Sequence, residues 1–309
     1  MILISVIMSI QNDENNYLKQ SIESILNQSF KNFEFIIVLD GSNQDTFEKV
    51  NYYKLKDLRI RVIKQNNQGL TKSLNSAIKE SKSNLIVRQD YDDISDSKRL
   101  EYLYNYMKKN TDIVLSGSNC IKINDKNLII GKIKVENNSS KLKKQILYFN
   151  PLIHPSVIFR KNILKEFNFY NENYQVSQDY ELWSKVSKKY KIGNVNSYLL
   201  RLRIHKKSVS NLNNFLQRKY SFFINLKNKF NNYEKIIDKN LTIDLFNINN
   251  LLNSKDKELL NYINSRLYVL FYDKIKGYSI FKYNVKTLIL IIKYYFYRPK
   301  YLILRILNK

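Results

Sequence analysis

Over the first 120 residues, short apolar runs of strand length alternate with segments whose apolar residues recur every three to four positions. The runs Ile2–Met8, Phe35–Leu39, Ile60–Lys64, Asn84–Arg88 and Asp112–Leu115 predict strands, because β-branched and apolar residues dominate them. Between the first two, Leu18, Ile22, Ile25 and Leu26 fall on one helical face, and the polar stretch Asn12 to Asn16 offers capping side chains. A second helix is predicted after Gly69, carried by Leu70, Leu74, Ala77 and Ile78, and a third by Leu100, Leu103 and Met107. This alternation predicts an α/β fold, a mostly parallel central sheet with crossover helices on its faces. Ligands of open α/β sheets bind beyond the carboxyl ends of the strands. Two acidic clusters stand there, Asp40-Gly41-Ser42 and Asp90-Tyr91-Asp92-Asp93.

The second cluster places three carboxylates within four residues directly after Leu85-Ile86-Val87. They repel one another unless a cation neutralises them, and a divalent Mg²⁺ or Mn²⁺ prefers such oxygen ligands and can bridge them to a diphosphate. A helix cap is the competing reading, since Ser95 or Asp96 could begin the helix that carries Leu100. It accounts for Asp93 and Asp96 better than for Asp90 and Asp92. Asp40-Gly41-Ser42 has its own plain alternative as a strand-ending turn, for which all three residue types are suited.

Composition supplies material for a core, 44% hydrophobic with 13% aromatic over 309 residues, enough for one large α/β domain plus an appendage. Cys120 is the one cysteine, which excludes an internal disulfide. The stretch Met1 to Ile10 lacks the basic start and cleavage pattern of a leader, so a reducing cytoplasm is the expected location. No run reaches the ~20 apolar residues of a spanning helix. The nearest, Thr287 to Ile292, is closed by Lys286 and Lys293. Charge adds a separate signal: residues 1–210 hold 34 basic and 21 acidic side chains, net +13, and residues 211–309 hold 18 and 6, net +12 in half the length. Such a field attracts polyanions, among them nucleic acid, anionic lipid or a diphosphate, while a solvating lysine-rich surface needs no partner at all.

Taken in order, further stretches complete a family pattern. They are Ser5-Val6-Ile7-Met8-Ser9, the segment Tyr17 to Phe30, Phe33-Glu34-Phe35-Ile36-Ile37-Val38, Asp40-Gly41-Ser42 and Asn67-Gln68-Gly69-Leu70. Arg88-Gln89-Asp90-Tyr91-Asp92-Asp93, His154-Pro155, Gln178-Asp179-Tyr180-Glu181-Leu182-Trp183 and Arg203-Ile204-His205 follow. Over residues 2–210 the chain resembles the family 2 glycosyltransferases, and the resemblance implies the GT-A nucleotide-sugar-binding fold and an inverting, metal-dependent sugar transfer. It implies that Ser9 lies over the base, that Asp40 reads the nucleobase edge, and that Arg88 and Asp90 hold the nucleotide. Asp92 would ligate the Mn²⁺ or Mg²⁺ that meets the donor diphosphate, His205 would be a further ligand, and Asp179 the catalytic base. The implied partners are a nucleotide-sugar donor and a glycan or lipid-linked acceptor, in surface polysaccharide or glycolipid assembly, with no nucleic acid expected.

Three departures qualify the likeness: Leu39 where many relatives carry a second acid, Gln11 where an aromatic often stacks on the base, and Gln178 in place of Glu beside Asp179. Losing that neighbouring charge removes one cause of an elevated Asp179 pKa. The Gln-x-x-Arg-Trp pattern of processive synthases is absent, since the one tryptophan is Trp183, so one sugar per encounter is expected. Trp183 reads as core on a helix after the base, or as the floor of an acceptor pocket. Domain 1–210 is expected to be catalytic and 211–309 a basic, mostly helical region. Tyr278, Phe281, Leu288, Ile292, Tyr295 and Phe296 at helical spacing, with nine basic and one acidic residue over 271–309, suit a helix on an anionic membrane surface. A helix packed on the catalytic domain or on a second subunit accounts for the same spacing. A basic nucleic-acid-binding protein and an inactive scaffold remain as other classes. The first lacks a recognised binding motif, and the intact Asp90, Asp92 and Asp179 stand against the second.

Overall fold

The structure is a computed structural model and describes residues 2–205 and 214–229. These form two compact units, 2–146 with 150–205, and 147–149 with 214–229. The expected domain boundary at 210/211, the apolar stretch Thr287 to Ile292 and the basic, aromatic segment 271–309 lie outside the described residues.

The first unit opens with strand and helix in strict alternation: β1 (Ile4–Ile10), α1 (Leu18–Leu26), β2 (Phe33–Asp40), α2 (Gln44–Lys56), β3 (Ile60–Gln65), α3 (Leu70–Glu80) and β4 (Leu85–Arg88). β1 pairs in parallel with both β2 and β4, and β2 with β3, in agreement with the parallel sheet expected from the pattern. All eight residues of β2 are buried, as a strand covered on both faces requires. On one face Val6, Met8, Phe35 and Ile37 join Leu18, Ile22 and Ile25 of α1 and Val50 of α2 in the core. Ile7, Ile36 and Val38 alternate with them and are buried too, and α3 packs on β1 and β2 through Leu74, Ala77 and Ile78. Asp13, within the stretch predicted to cap α1, accepts from the amides of Tyr17 (2.9 Å) and Leu18 (3.2 Å).

The remainder is β5 (Ile94–Ser95), α4 (Arg99–Lys109), β6 (Ile113–Ile123), β7 (Ile129–Ile133), α5 (Ser139–Gln145), β8 (Ile158–Arg160), α6 (Lys161–Lys165), α7 (Gln178–Lys189) and β9 (Lys191–Arg203). The strand order is β3-β2-β1-β4-β8-β6-β9-β5, with β7 on β6. Beyond β4 the sheet is mixed: β8 runs antiparallel to β4 and β6, whereas β6 and β9 are parallel. α2 carries no apolar stripe that its sequence advertises, with only Thr46 and Val50 buried; Asn43 caps it by accepting from the Thr46 amide at 2.9 Å. The second unit contributes α8 (Asn214–Lys229), a helix in the region predicted to be helical. Among the described residues no helix is long and apolar enough to cross a membrane.

Candidate active site

The carboxyl ends of β1, β2 and β4 carry the residues singled out by the sequence. Ser9 sits half-buried near the end of β1, opposite Val38 of β2. Asp40 ends β2 with both carboxylate oxygens engaged by the neighbouring loop: Oδ1 accepts from Gln65 Nε2 and the Gln68 amide, each at 2.8 Å, and Oδ2 from the Gly69 amide at 2.9 Å. Asp40 thus braces the loop that leads into α3. Gly41 beside it has φ +68°, and an added Cβ would lie 2.7 Å from Asn67 Cβ, so only glycine fits.

The acidic turn after β4 is pinned from beneath by one buried amide. Gln89 Nε2 donates to the carbonyls of Asp90 (3.0 Å) and Asp93 (2.9 Å) and to Ser21 Oγ (2.9 Å), and Ser21 Oγ donates to the Asp90 carbonyl at 2.7 Å. With the backbone tied down, the side chains of Asp90, Asp92 and Asp93 converge, each offering an oxygen within 4.8 Å of the others. Asp90 keeps 29% side-chain exposure and pairs with Arg88 Nη2 at 2.5 Å. Burial nevertheless raises its carboxyl to about 6 against the pull of Arg88, with Asp92 adding repulsion. Burial, then Asp92 and Asp90, push Asp93 well above the ordinary carboxylate range. Asp93 Oδ1 accepts from the Arg203 amide at 2.8 Å, whereas Oδ2 is buried without a hydrogen-bond donor among the described residues. Asp93 is therefore not a helix cap. Asp96 comes nearer that role, accepting from the Lys98 amide at 3.0 Å just before α4.

The end of β9 closes over this turn. His205 Nε2 lies 2.9 Å from Asp92 Oδ2, which brings together the two residues that the family resemblance proposed as metal ligands. Arg203 Nε donates to the Asp92 carbonyl at 2.8 Å, and its guanidinium lies 4.2 Å from the ring centre of Tyr17, whose ring is in turn 5.6 Å from that of His205. Three converged carboxyls, one with an orphaned oxygen, and an adjacent imidazole are a donor set suited to a hard divalent cation.

Asp179 occupies the first turn of α7, entered through Ser177 at φ +59°. Burial raises its carboxyl, while its amide contacts, Arg88 and Asn150 hold the charge in place; Asn150 Nδ2 donates to Oδ2 at 2.7 Å. The rise persists although Gln178 stands where a second acid would add repulsion. His154 Nδ1 lies 3.9 Å from Asp179 Oδ2, and its Nε2 is 2.9 Å from the Tyr170 hydroxyl. Burial, helped by Arg88, drives the His154 pKa well below the ordinary value, so the imidazole is neutral and its contact with Asp179 is not an ion pair. Trp183 is core: it is fully buried, with ring centres 5.8 Å from Phe159 and Tyr170 and 6.2 Å from His154.

Arg99, Gln89 and Asn150 carry no role in the sequence reading. Arg99 is wholly buried, and burial pushes its pKa down to about 10. It donates to Gln89 Oε1 (2.7 Å), Ser95 Oγ (2.8 Å), the Arg88 carbonyl (2.6 Å) and the Pro155 carbonyl (2.6 Å). One guanidinium thus joins the strand that delivers the acidic turn to the loop beside Asp179. The available signal was an arginine four and eight positions before Leu103 and Met107, on the apolar face of their helix.

Residues 5–167 match the family described as Glycosyl transferase family 2. The chain belongs to this family. It is 38% identical over 220 residues to an uncharacterized glycosyltransferase of Methanocaldococcus jannaschii, covering 70% of this chain and 74% of that one. It is also 33% identical over 212 residues to the O-antigen biosynthesis glycosyltransferase WbnJ of Escherichia coli, covering 67% and 81%. Among solved structures, S. aureus TarS 1–349 in complex with UDP superposes with a TM-score of 0.60 at 16% identity, over 97% of this chain and 88% of that one. Of a longer S. aureus TarS chain this protein spans 46%. A mannosyltransferase of Pyrobaculum calidifontis in complex with GDP-Man and Mn²⁺ gives 0.55 at 10% identity, over 90% and 76%. At these identities the structures establish the GT-A fold, a mixed sheet flanked by helices.

Proposed function

We propose that this glycosyltransferase moves a single sugar from a nucleoside-diphosphate sugar to an acceptor hydroxyl, with inversion at the anomeric carbon. The observation that carries the reading is the pairing of a converged carboxylate triad with a separate buried carboxylate, Asp179, under the influence of one guanidinium, Arg88. Asp92 with His205 would hold a Mg²⁺ or Mn²⁺ ion, which supplies positive charge against the departing diphosphate. Asp90 and Arg88 position the nucleotide end of the donor, with Ser9 over the base and Asp40, which also braces the adjoining loop, at the base edge. Asp179 takes the proton from the acceptor hydroxyl as it attacks from the face opposite the diphosphate, and its raised basicity suits that task near neutral pH.

The nucleotide-bearing TarS and mannosyltransferase complexes support the donor class, and the Mn²⁺ of the latter supports the metal. The O-antigen biosynthesis role of WbnJ supports an acceptor in surface-glycan or glycolipid assembly. Titration calorimetry with nucleoside diphosphates and nucleotide-sugars, in Mn²⁺, Mg²⁺ and chelator, tests the assignment. Binding is expected to need the cation and to weaken by ~10- to 100-fold in Asp92→Asn, the scale of losing a metal-site interaction. Equal affinity in chelator would remove the metal from the mechanism.

A further inference from the structure

The hairpin of β6 and β7 turns through Asn124-Asp125-Lys126-Asn127, with Asn127 at φ +62° and Asn124 Oδ1 accepting from the Lys126 and Leu128 amides at 3.0 Å each. The Asn124 side chain thus closes the turn. Beyond it Leu128, Ile129 and Ile130 are 60%, 61% and 52% exposed, the only consecutive run of exposed large apolar side chains among the described residues. Neighbouring residues of a strand point to opposite faces, so exposure of Ile129 and Ile130 leaves both faces of β7 open at its start, with exposed Leu128 just before them. Among the described strands β7 pairs with β6 alone.

Its surroundings are basic. Lys126 in the turn, Lys132 in β7 and Lys134 just past its end are exposed. Of the nearby acids, Asp125 accepts from the Tyr17 hydroxyl at 2.9 Å and Glu136 lies 3.7 Å from Lys141. The turn of the hairpin is tied to the residues around the acidic turn. Arg203 Nη1 donates to the Asn124 carbonyl at 3.0 Å while its Nε holds the Asp92 carbonyl, and Tyr17, which grips Asp125, packs beside His205.

We propose that the β6–β7 hairpin is a membrane-docking element that seats Leu128, Ile129 and Ile130 in an anionic lipid surface, with Lys126, Lys132 and Lys134 at the headgroups. Aliphatic side chains flanked along the chain by lysines match the two layers of such a surface, apolar below and anionic above. A second copy of the chain is the poorer occupant, since each carries a net charge of +25 and the two would repel. The proposal rests on the glycosyl-transfer reading in one respect, that docking would present a membrane-borne acceptor to Asp179; the surface itself is independent of it.

The test uses the full chain with vesicles of phosphatidylglycerol mixed with phosphatidylcholine, and of phosphatidylcholine alone. In Ile129→Trp, the introduced indole is expected to shift its emission to the blue with anionic vesicles and to be quenched by spin-labelled lipid, against the constant background of buried Trp183. The triple variant Leu128→Ser, Ile129→Ser, Ile130→Ser is expected to lose ~10-fold or more in vesicle partition, the scale of withdrawing several aliphatic side chains from lipid. Calorimetric donor binding without vesicles is expected to match in both forms, so a failed glycosyl-transfer reading is seen separately. An indole emission that ignores anionic vesicles, or a triple variant that partitions like the parent, overturns the proposal. So does a dimer that the triple variant converts to monomer, which would make the occupant a second copy.

Discussion

The acidic turn after β4 and the first turn of α7 use the same functional group in opposite ways. In the turn, three carboxyls converge to within 4.8 Å, two are pushed upward by burial and by one another, and one oxygen has no donor among the described residues. Arg88 is the cation that answers this charge through Asp90, and it does not reach the orphaned Asp93 oxygen. Asp179 stands apart from such repulsion, raised by burial and steadied by Asn150 and the helix amides, beside a neutral His154. Its carboxylate has its hydrogen-bond donors in place, as the proposed base would need. The difference teaches that the number of like charges and the donors around them, not the residue type, set how a buried carboxylate behaves, which is what the proposed roles of ion holder and base rest on.

The comparison breaks most sharply at Asp179. Asp179→Asn keeps shape and polarity and removes basicity, so transfer is expected to fall by ~10²–10⁴-fold, the usual contribution of a general base. Calorimetric donor affinity is expected to stay near the parent value, because the nucleotide end is held by the other setting. A variant that transfers at the parental rate would move the base elsewhere.

Next in size is the residue that builds both settings on one scaffold. Arg99→Ala strips donors from the Arg88 and Pro155 carbonyls, Gln89 Oε1 and Ser95 Oγ, all in the buried interior. Leaving such acceptors unpaired is expected to cost about 3 kcal/mol in a urea denaturation, with donor binding and transfer declining together. Arg99→Lys keeps the charge but not the fork, and is expected to recover only part of the loss. A fully stable Arg99→Ala protein would show that the two settings are held independently.

How much of this was legible in the sequence follows from the range over which each feature is specified. β1 to β4 and the helices α1, α3 and α4 could be read because each buries a periodic apolar set of its own. α2 could not, since it holds its place with Val50, Thr46 and the Asn43 cap while most of its length faces water. The mixed half of the sheet was hidden for another reason: β8 has three residues and β5 two, too few for any periodic signal, and their pairing is decided by distant partners. In the site, Asp90, Asp92, Asp179 and His205 were found as members of ordered motifs, and the fold supplied the meeting of Asp92 and His205 across 113 positions of chain. Asn150 lies outside every motif, and only the tertiary approach of its loop to α7 gives it work. Asp40 shows the same from a motif residue: its bonds to Gln65, Gln68 and Gly69 are contacts no motif announces.

Asn150 offers the smallest and most discriminating change. Its amide donates to Asp179 Oδ2, and a donor to a carboxylate stabilises the charged form, so Asn150→Ala is expected to raise the Asp179 pKa beyond its already elevated value. The acid limb of the rate against pH should then move to higher pH, lowering transfer by roughly three- to tenfold on that limb, the scale of one charge-assisted hydrogen bond, with the plateau nearly kept. The stability change has a definite sign. A carboxyl whose folded pKa exceeds its unfolded value contributes stability below the unfolded value and loses it as pH rises through the folded one. Raising the folded pKa further makes Asn150→Ala cost more at neutral pH than in mild acid, which denaturation at the two pH values measures. The acidic turn makes no use of Asn150, so metal-dependent nucleotide binding should be the same in variant and parent. A variant whose nucleotide affinity falls while its pH profile stays fixed would place Asn150 with the ion-holding carboxylates and dissolve the contrast between the two settings.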